Sequence, residues 1–310
     1  MKTVICLLLL AVMGIACSSE PAITTEMLDG GTLFDPSIYK PENYLVSKAI
    51  PNPTPDQAKK PVIIACHGYS ATTFEWDEFR AWANGRTDLY LSQVLLGGHG
   101  RSYDDFKKST WHDWQAAIME EYDQLAKAGY TNISLLGSST SGALLLQLVS
   151  SGYFANRLTP RTILLVDPIV IPSDKSLSLV GLVGPMLGYF ETQQSVSEDK
   201  VFFHFRPQET LQQLQNVLTI VRKDLEKGIT LPTGCSMKVY KSKKDSSADP
   251  VSAVLIYQGT KTSDGSPVAV ELIDSELHVY TRLNLRDQVT AKDRQNQTAT
   301  FTDIVRRVLR

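Results

Sequence analysis

The reactive residue types of this chain fall at the ends of apolar runs. The run Ile133-Ser134-Leu135-Leu136 breaks at Gly137 and passes through Ser138, Ser139, Thr140 and Ser141 to Gly142, where an apolar, helix-like stretch takes over. A serine on such a strand-to-helix turn is lifted above the sheet edge, and the start of the following helix favours negative charge developing there. That setting suits a serine nucleophile. A Ser/Gly-rich turn taken by itself equally suits a phosphate-binding loop. Asp167, Asp245 and His278 also follow apolar runs, as do His67-Gly68 and His99-Gly100. A hydroxyl, a carboxylate and an imidazole are the types from which nucleophilic acyl transfer is assembled, provided that the fold brings these run ends to one place.

The elements that must do so are legible as an alternation. Strand-like runs are Val62 to Cys66, Leu89 to Leu96, Ile133 to Leu136, Thr162 to Val166, Met237 to Tyr240 and Val268 to Ile273. Continuous apolar runs of this length suit parallel strands buried on both faces. Between them lie helical patterns. Trp114, Ala117, Ile118, Tyr122 and Leu125 recur at three- and four-residue spacing, with Gly129 as the stop, and Phe301, Ile304, Val305, Val308 and Leu309 repeat the period. Strand and helix in alternation mean a mostly parallel, doubly wound α/β sheet covered on both sides. Reactive groups in such sheets gather at the carboxyl ends of the strands.

Several of these segments resemble the motifs of the α/β-hydrolases. Gly137 to Gly142 resembles their nucleophile elbow G-x-S-x-G, with Ser139 at the nucleophile. The second glycine of the motif is Ser141 here, and glycine stands one position later. Val62 to Trp76 resembles the strand and His-Gly turn of the oxyanion hole, and Leu96 to Ser102 the G-H-G-x-S loop after the next strand. The resemblance implies the backbone N–H groups of Tyr69 and Thr140 as oxyanion donors, with His67 and His99 structural. Val239 to Tyr257 resembles the segment that carries the acid, matched by Asp245. Ser275-Glu276-Leu277-His278 resembles the turn that carries the base, matched by His278. Asp167 and Asp249 compete for the acid's place. Asp167-Pro168 leads into the expected cap, and Asp249 before Pro250 reads as a helix N-cap.

The resemblance spans roughly residues 60 to 310 and is closest in detail to the monoglyceride-lipase and carboxylesterase branch. That branch inserts a helical cap where this chain has residues 169 to about 215. Leu177, Leu179, Val180, Leu182, Val183, Met186, Leu187, Tyr189 and Phe190, broken by Gly181, Gly184, Pro185 and Gly188, would give either an apolar lid or ordinary packing surface. The implied activity is hydrolysis of lipid-like or small acyl esters through Ser139, Asp245 and His278. The same elbow serves peptidases and thioesterases, and a hydrolase fold reduced to a binding module is the non-catalytic alternative. None of the five histidines shows the paired spacing of a zinc site, and no cofactor loop is visible, so neither a metal nor a cofactor is expected.

The remaining signals concern place. Lys2, the apolar run Ile5 to Val12 and the small residues before Cys17 resemble a bacterial lipoprotein signal, although Gly14 stands where a large aliphatic residue is usual. The expectation is a signal over 1–16, lipid on Cys17, a Pro- and Thr-rich tether over 17–60 and a hydrolase domain over 61–310. The protein would then be exported and held at the bacterial envelope by its N-terminus. Cys66 and Cys235 are left in the body as small buried residues. With 43% hydrophobic and 21% charged residues and a net charge of -2, the chain has a globular composition and no nucleic-acid surface.

An N-terminal lipid holds a protein to a bilayer by burying methylenes, at about 0.8 kcal/mol each. Cys17→Ser should therefore move the protein from the membrane fraction to the soluble fraction at unchanged specific activity. A wild type that is already soluble after loss of the signal would contradict the lipid anchor.

Overall fold

The computed structural model describes residues 52–174, 177, 188–195, 197–198 and 201–310. The expected signal, Cys17 and the tether up to residue 51 lie outside the described residues, as does most of the expected lid from 175 to 187.

Six strands form one parallel sheet: β1 (Val62–Cys66), β2 (Tyr90–Val94), β3 (Ile133–Ser138), β4 (Thr162–Val166), and two more named below. A short helix α1 (Pro55–Ala58) precedes β1. Between strands run α2 (Asp77–Ala83), α3 (Tyr103–Lys108), α4 (Trp111–Lys127) and α5 (Thr140–Ser150). A small antiparallel pair, β5 (Tyr189–Glu191) with β6 (Phe205–Pro207), follows β4. Then come α6 (Gln208–Lys227), β7 (Ile229–Thr230), β8 (Ser236–Ser242), α7 (Val251–Gly259), β9 (Thr260–Lys261), β10 (Ala269–Ile273) and α8 (Ala291–Val308).

The order across the sheet is β10-β8-β4-β3-β1-β2. The chain runs from β1 outward to β2, returns to the other side of β1 for β3, and then steps outward through β4, β8 and β10. The adjacent carboxyl ends of β1 and β3 thus lie where the winding reverses, which is where parallel sheets open a crevice.

Period-two alternation sorts the continuous apolar runs into two cores. Val62, Ile64 and Cys66 of β1, with Ile163 and Leu165 of β4, face α4, α5, α6 and α7. Ile63 and Ala65, with Leu164 and Val166, face Trp76, Phe79 of α2, and Phe301, Ile304 and Val305 of α8. This double coverage explains why β1 to β4 carry no polar face. β10 departs from the expectation. It is an edge strand, and unlike β2 at the opposite edge it is largely exposed, with Leu272 at 55%. α6 starts inside the stretch expected as cap. Leu211, Leu214, Val217, Leu218, Val221 and Leu225 give it a buried stripe, so residues 208–215 belong to a long helix packed on the body.

Close approach of backbone elements dictates two small residues near the elbow. Gly142, the third residue of α5, faces Pro168 at the end of β4, and a Cβ there would stand 2.7 Å from Pro168 Cβ. Ser141, in the place of the motif's second glycine, is fully buried, and its hydroxyl lies 2.7 Å from the Cys66 carbonyl and 2.8 Å from that of Ser138. The elbow therefore accepts a serine whose hydroxyl is satisfied by strand carbonyls. It has no room for a methyl one residue later. Gly142→Ala should cost about 1–3 kcal/mol of stability through overpacking, measured by urea denaturation. A change below about 0.5 kcal/mol would show that α5 can shift away from Pro168.

Candidate active site

Ser139 sits between β3 and α5 with φ 50° and ψ -118°. A serine at a helix N-cap ordinarily turns its oxygen onto the helix amides. Here the left-handed backbone prevents that, and no side-chain cap bond forms. The turn is held by Ser139 N–H donating to the Val166 carbonyl at 3.0 Å, while the Ser139 carbonyl accepts from Gly142 at 3.0 Å and Ile169 at 3.2 Å. The opposing wall is Gly68, where a Cβ would stand 2.9 Å from Ser139 Cβ. Ser138 and Ser141 are fully buried with their hydroxyls turned to Cys66, Glu75 and Ser138 backbone or side-chain oxygens. Ser139 is the one of the three that meets an imidazole.

That imidazole is His278, in the loop after β10. Its Nε2 lies 2.9 Å from Ser139 Oγ, and its Nδ1 lies 2.8 Å from Asp245 Oδ2. An ionised carboxylate only accepts, so Nδ1 carries the proton and Nε2 presents its lone pair to the serine hydroxyl. Val279, directly after the histidine, holds φ 49°, a strained value for a β-branched residue. The loop is pinned by Tyr280 N–H to Asp167 Oδ2 at 3.3 Å and by the guanidinium of Arg286 donating to the His278 carbonyl.

Asp245 follows β8 in a tight loop. Its Oδ1 accepts from the N–H groups of Ser247 at 2.8 Å and Ala248 at 3.0 Å. Burial works to raise its pKa, but the hydrogen bond and charge of His278, joined by Lys241, outweigh burial and hold it below the ordinary carboxylate value. Asp167, the competing acid, ends β4 with φ 45° and makes no hydrogen bond to His278 within the described residues. It accepts from Ser242 N–H at 2.7 Å and ties the ends of β4 and β8 to the histidine loop. Asp249 accepts from Val251 N–H at 2.8 Å and caps α7.

Lys241 was not singled out from the sequence, yet it lies at the centre of this cluster. Its fully buried ammonium bonds Asp245 Oδ2 and stands 3.4 Å from Asp167 Oδ1. The ligand atoms of Asp167, Asp245 and His278 come within 4.8 Å of one another, and the Lys241 ammonium already supplies the carboxylates with a cation. The signal was positional. Lys241 shares a strand face with buried Met237 and Val239, whereas Lys243 and Lys244 lie past the strand end and are exposed.

Glu75 is a second buried polar side chain that the sequence did not mark. Its Oε1 accepts from Gly68 N–H at 2.8 Å and from the Ser138 hydroxyl, joining the loop after β1 to the elbow. Among the described residues, none accepts from the N–H of Tyr69 or of Thr140, the two expected oxyanion donors. Both residues line a cavity of about 410 Å³ together with Ser139 and His278. Its apolar wall is Ile169, Leu177, Phe190, Leu211 and Leu214. His67 and His99 stay outside it. Leu96 N–H donates to His67 Nε2 at 3.0 Å, and burial lowers the His67 pKa to about 4, with the Gly68 carbonyl opposing. His99 is buried among Phe106, Trp114 and His67, and burial lowers its pKa too. Cys66 and Cys235 are free and buried, and burial raises both thiol pKa values.

The sheet order, the elbow and the strand-end site together define the α/β-hydrolase fold. No family model matches the chain. It is 23% identical over 232 residues to a thermostable monoacylglycerol lipase of Bacillus sp. (strain H-257), covering 71% of this chain and 83% of that protein. It is 24% identical over 245 residues to a carboxylesterase of Bacillus subtilis (strain 168), covering 77% and 93%. Among solved structures it resembles that of the metagenome-derived lipolytic enzymes LipS and LipT, with a TM-score of 0.64, 17% identity and coverage of 81% and 94%.

Removing one partner from a buried ion cluster leaves uncompensated charge, at a cost of about 3–5 kcal/mol. Lys241→Met should destabilise the protein by that order in urea denaturation, and adding Asp167→Asn should return part of the loss. A cost below about 1 kcal/mol, or no recovery in the double variant, would mean that the three charges do not act as a unit.

Proposed function

We propose that this chain is a serine hydrolase that cleaves carboxylic esters through an acyl-enzyme, with Ser139 as nucleophile, His278 as base and Asp245 as acid. The observation that carries this reading is the continuous hydrogen-bonded chain from Ser139 Oγ through both ring nitrogens of His278 to Asp245. Ser139 and His278 of that chain line the cavity, where a substrate could reach the hydroxyl.

The steps follow from the tautomer. Ser139 Oγ attacks the ester carbonyl while its proton passes to His278 Nε2, and Asp245 stabilises the imidazolium through Nδ1–H. The carbonyl oxygen becomes an oxyanion facing the N–H groups of Tyr69 and Thr140, which have no acceptor among the described residues. Collapse breaks the C–O bond, and His278 returns its proton to the departing alkoxide, releasing the alcohol. Water then attacks the acyl-serine, gives its proton to His278 and leaves the carboxylic acid, with the proton restored to Ser139.

The substrate class follows from the cavity and the relatives. An apolar wall beside the nucleophile suits an acyl chain or other apolar ester group, and the relatives in hand are named as a monoacylglycerol lipase and a carboxylesterase. We place the protein at the bacterial envelope, tethered by lipid on Cys17, in reach of lipid-like and small acyl esters; the signal-like N-terminus supports that reading.

Kinetics with a short-chain ester test the assignment. Ser139→Ala and Asp245→Asn should each lower kcat by roughly 10⁴-fold, the second because Asn misorients the imidazole. Asp249→Asn should stay within a few-fold of wild type, since Asn also caps a helix. Near-normal turnover by Asp245→Asn, beside a collapse in Asp167→Asn, would move the acid to the end of β4.

A further inference from the structure

The cavity above Ser139 contains a guanidinium with no acceptor among the described residues. Arg206, the middle residue of β6, lines this cavity together with Ser139, His278 and Tyr69. The residue is half-buried, and its Nε is fully buried without a hydrogen-bond partner among the described residues. Its contact is with the face of the Tyr69 ring, 5.7 Å from Cζ. That ring is itself fixed. The Thr210 hydroxyl donates to the Pro207 carbonyl at 2.9 Å, so Tyr69 Oη donates to Thr210 Oγ1 at 2.7 Å. Arg206 is thereby held beside the residue whose N–H faces the reacting carbonyl.

Two of the acids nearby have partners of their own: Glu191 pairs with His204 at 2.9 Å, and Asp174 has an interaction partner too. Glu209 stands 3.9 Å from Lys107 through Oε1, and its Oε2 is buried without a hydrogen bond and makes none to Arg206. Burial pushes the Arg206 guanidinium below its ordinary pKa, with Tyr69 opposing. A buried Nε–H with no acceptor among the described residues is unfavourable, and the planar guanidinium matches a carboxylate in bidentate fashion. A dianionic phosphate would leave excess negative charge beside Asp174 and Glu191. A single carboxylate balances a single guanidinium.

We propose that Arg206 is a specificity residue that receives a free carboxylate carried by the substrate. On this view the preferred ester has a carboxylate on one arm, as in a monoester of a dicarboxylic acid, while its ester carbonyl lies at Ser139. This rests on ester hydrolysis at Ser139 and names the substrate class that the cavity selects.

Two esters of equal length test it: mono-p-nitrophenyl glutarate, which ends in a carboxylate, and p-nitrophenyl valerate, which ends in a methyl. The wild type should favour the glutarate in kcat/KM. Arg206→Met should lower the glutarate-to-valerate ratio by roughly 10- to 100-fold, the value of a hydrogen-bonded charge contact, and Arg206→Lys should lower it less. A wild type that favours valerate, or a ratio indifferent to Arg206→Met, overturns the proposal. Binding of monomethyl glutarate to Ser139→Ala, read by calorimetry, is independent of turnover and should weaken at least about ten-fold when Arg206→Met is added. Arg206-dependent binding in a protein whose wild type hydrolyses neither ester would retain the carboxylate site and reject the hydrolase. Valerate hydrolysis with no Arg206 dependence in either measurement would do the reverse.

Discussion

The Lys241 ammonium, buried between the carboxylates of Asp167 and Asp245, is the contact on which the geometry of the site depends. Two carboxylates so close inside a protein would repel, and one would take up a proton. Lys241 between them opposes that tendency: Asp245 is held below its ordinary pKa, while burial still raises that of Asp167, and each carboxyl group has oxygen left for other work. Asp167 spends its own on Ser242 and Tyr280, which binds the ends of β4 and β8 to the histidine loop. Asp245 turns Oδ2 to His278 and Oδ1 to the amides of Ser247 and Ala248. The imidazole is thus oriented by a carboxylate that is itself anchored on three sides.

The serine side is organised by sterics instead of charge. Gly68, Gly137 and Gly142 mark places around the elbow where neighbouring atoms leave no space for a Cβ, and among them Ser139 takes a left-handed turn. Glu75 links this turn to the loop after β1 by accepting from Gly68 and from Ser138. A strained residue at the nucleophile and another, Val279, beside the base are tolerated because sheet and helix over-determine their positions. The reacting side chains of the two halves meet at the 2.9 Å contact from Ser139 Oγ to His278 Nε2.

The strands were legible because their physics is local. Val62–Cys66 and Thr162–Val166 are apolar on both faces and coincide with the expected runs. β8 runs on to Ser242, beyond the expected Tyr240, because its ladder with β10 continues through Lys241 and Ser242, and the buried Lys241 ammonium is met by the carboxyl groups of Asp167 and Asp245. β10 was expected to be buried on both faces, but composition does not tell an edge strand from a central one. Sequence signals marked Ser139, Asp245 and His278 as candidates, and the structure brings these three within hydrogen-bond reach. Lys241, Glu75 and Arg206 had no comparable motif, since each owes its role to partners or to a cavity that only the tertiary fold assembles.

The central claim is that Ser139 is an activated nucleophile. A fluorophosphonate reacts covalently with such a serine and leaves a phosphonyl adduct that peptide mapping by mass spectrometry can place. The adduct should fall on Ser139 in the wild type, and Ser139→Ala, although folded, should remain unmodified. An unlabelled wild type, or an adduct on Ser138 or Ser141, would contradict the account.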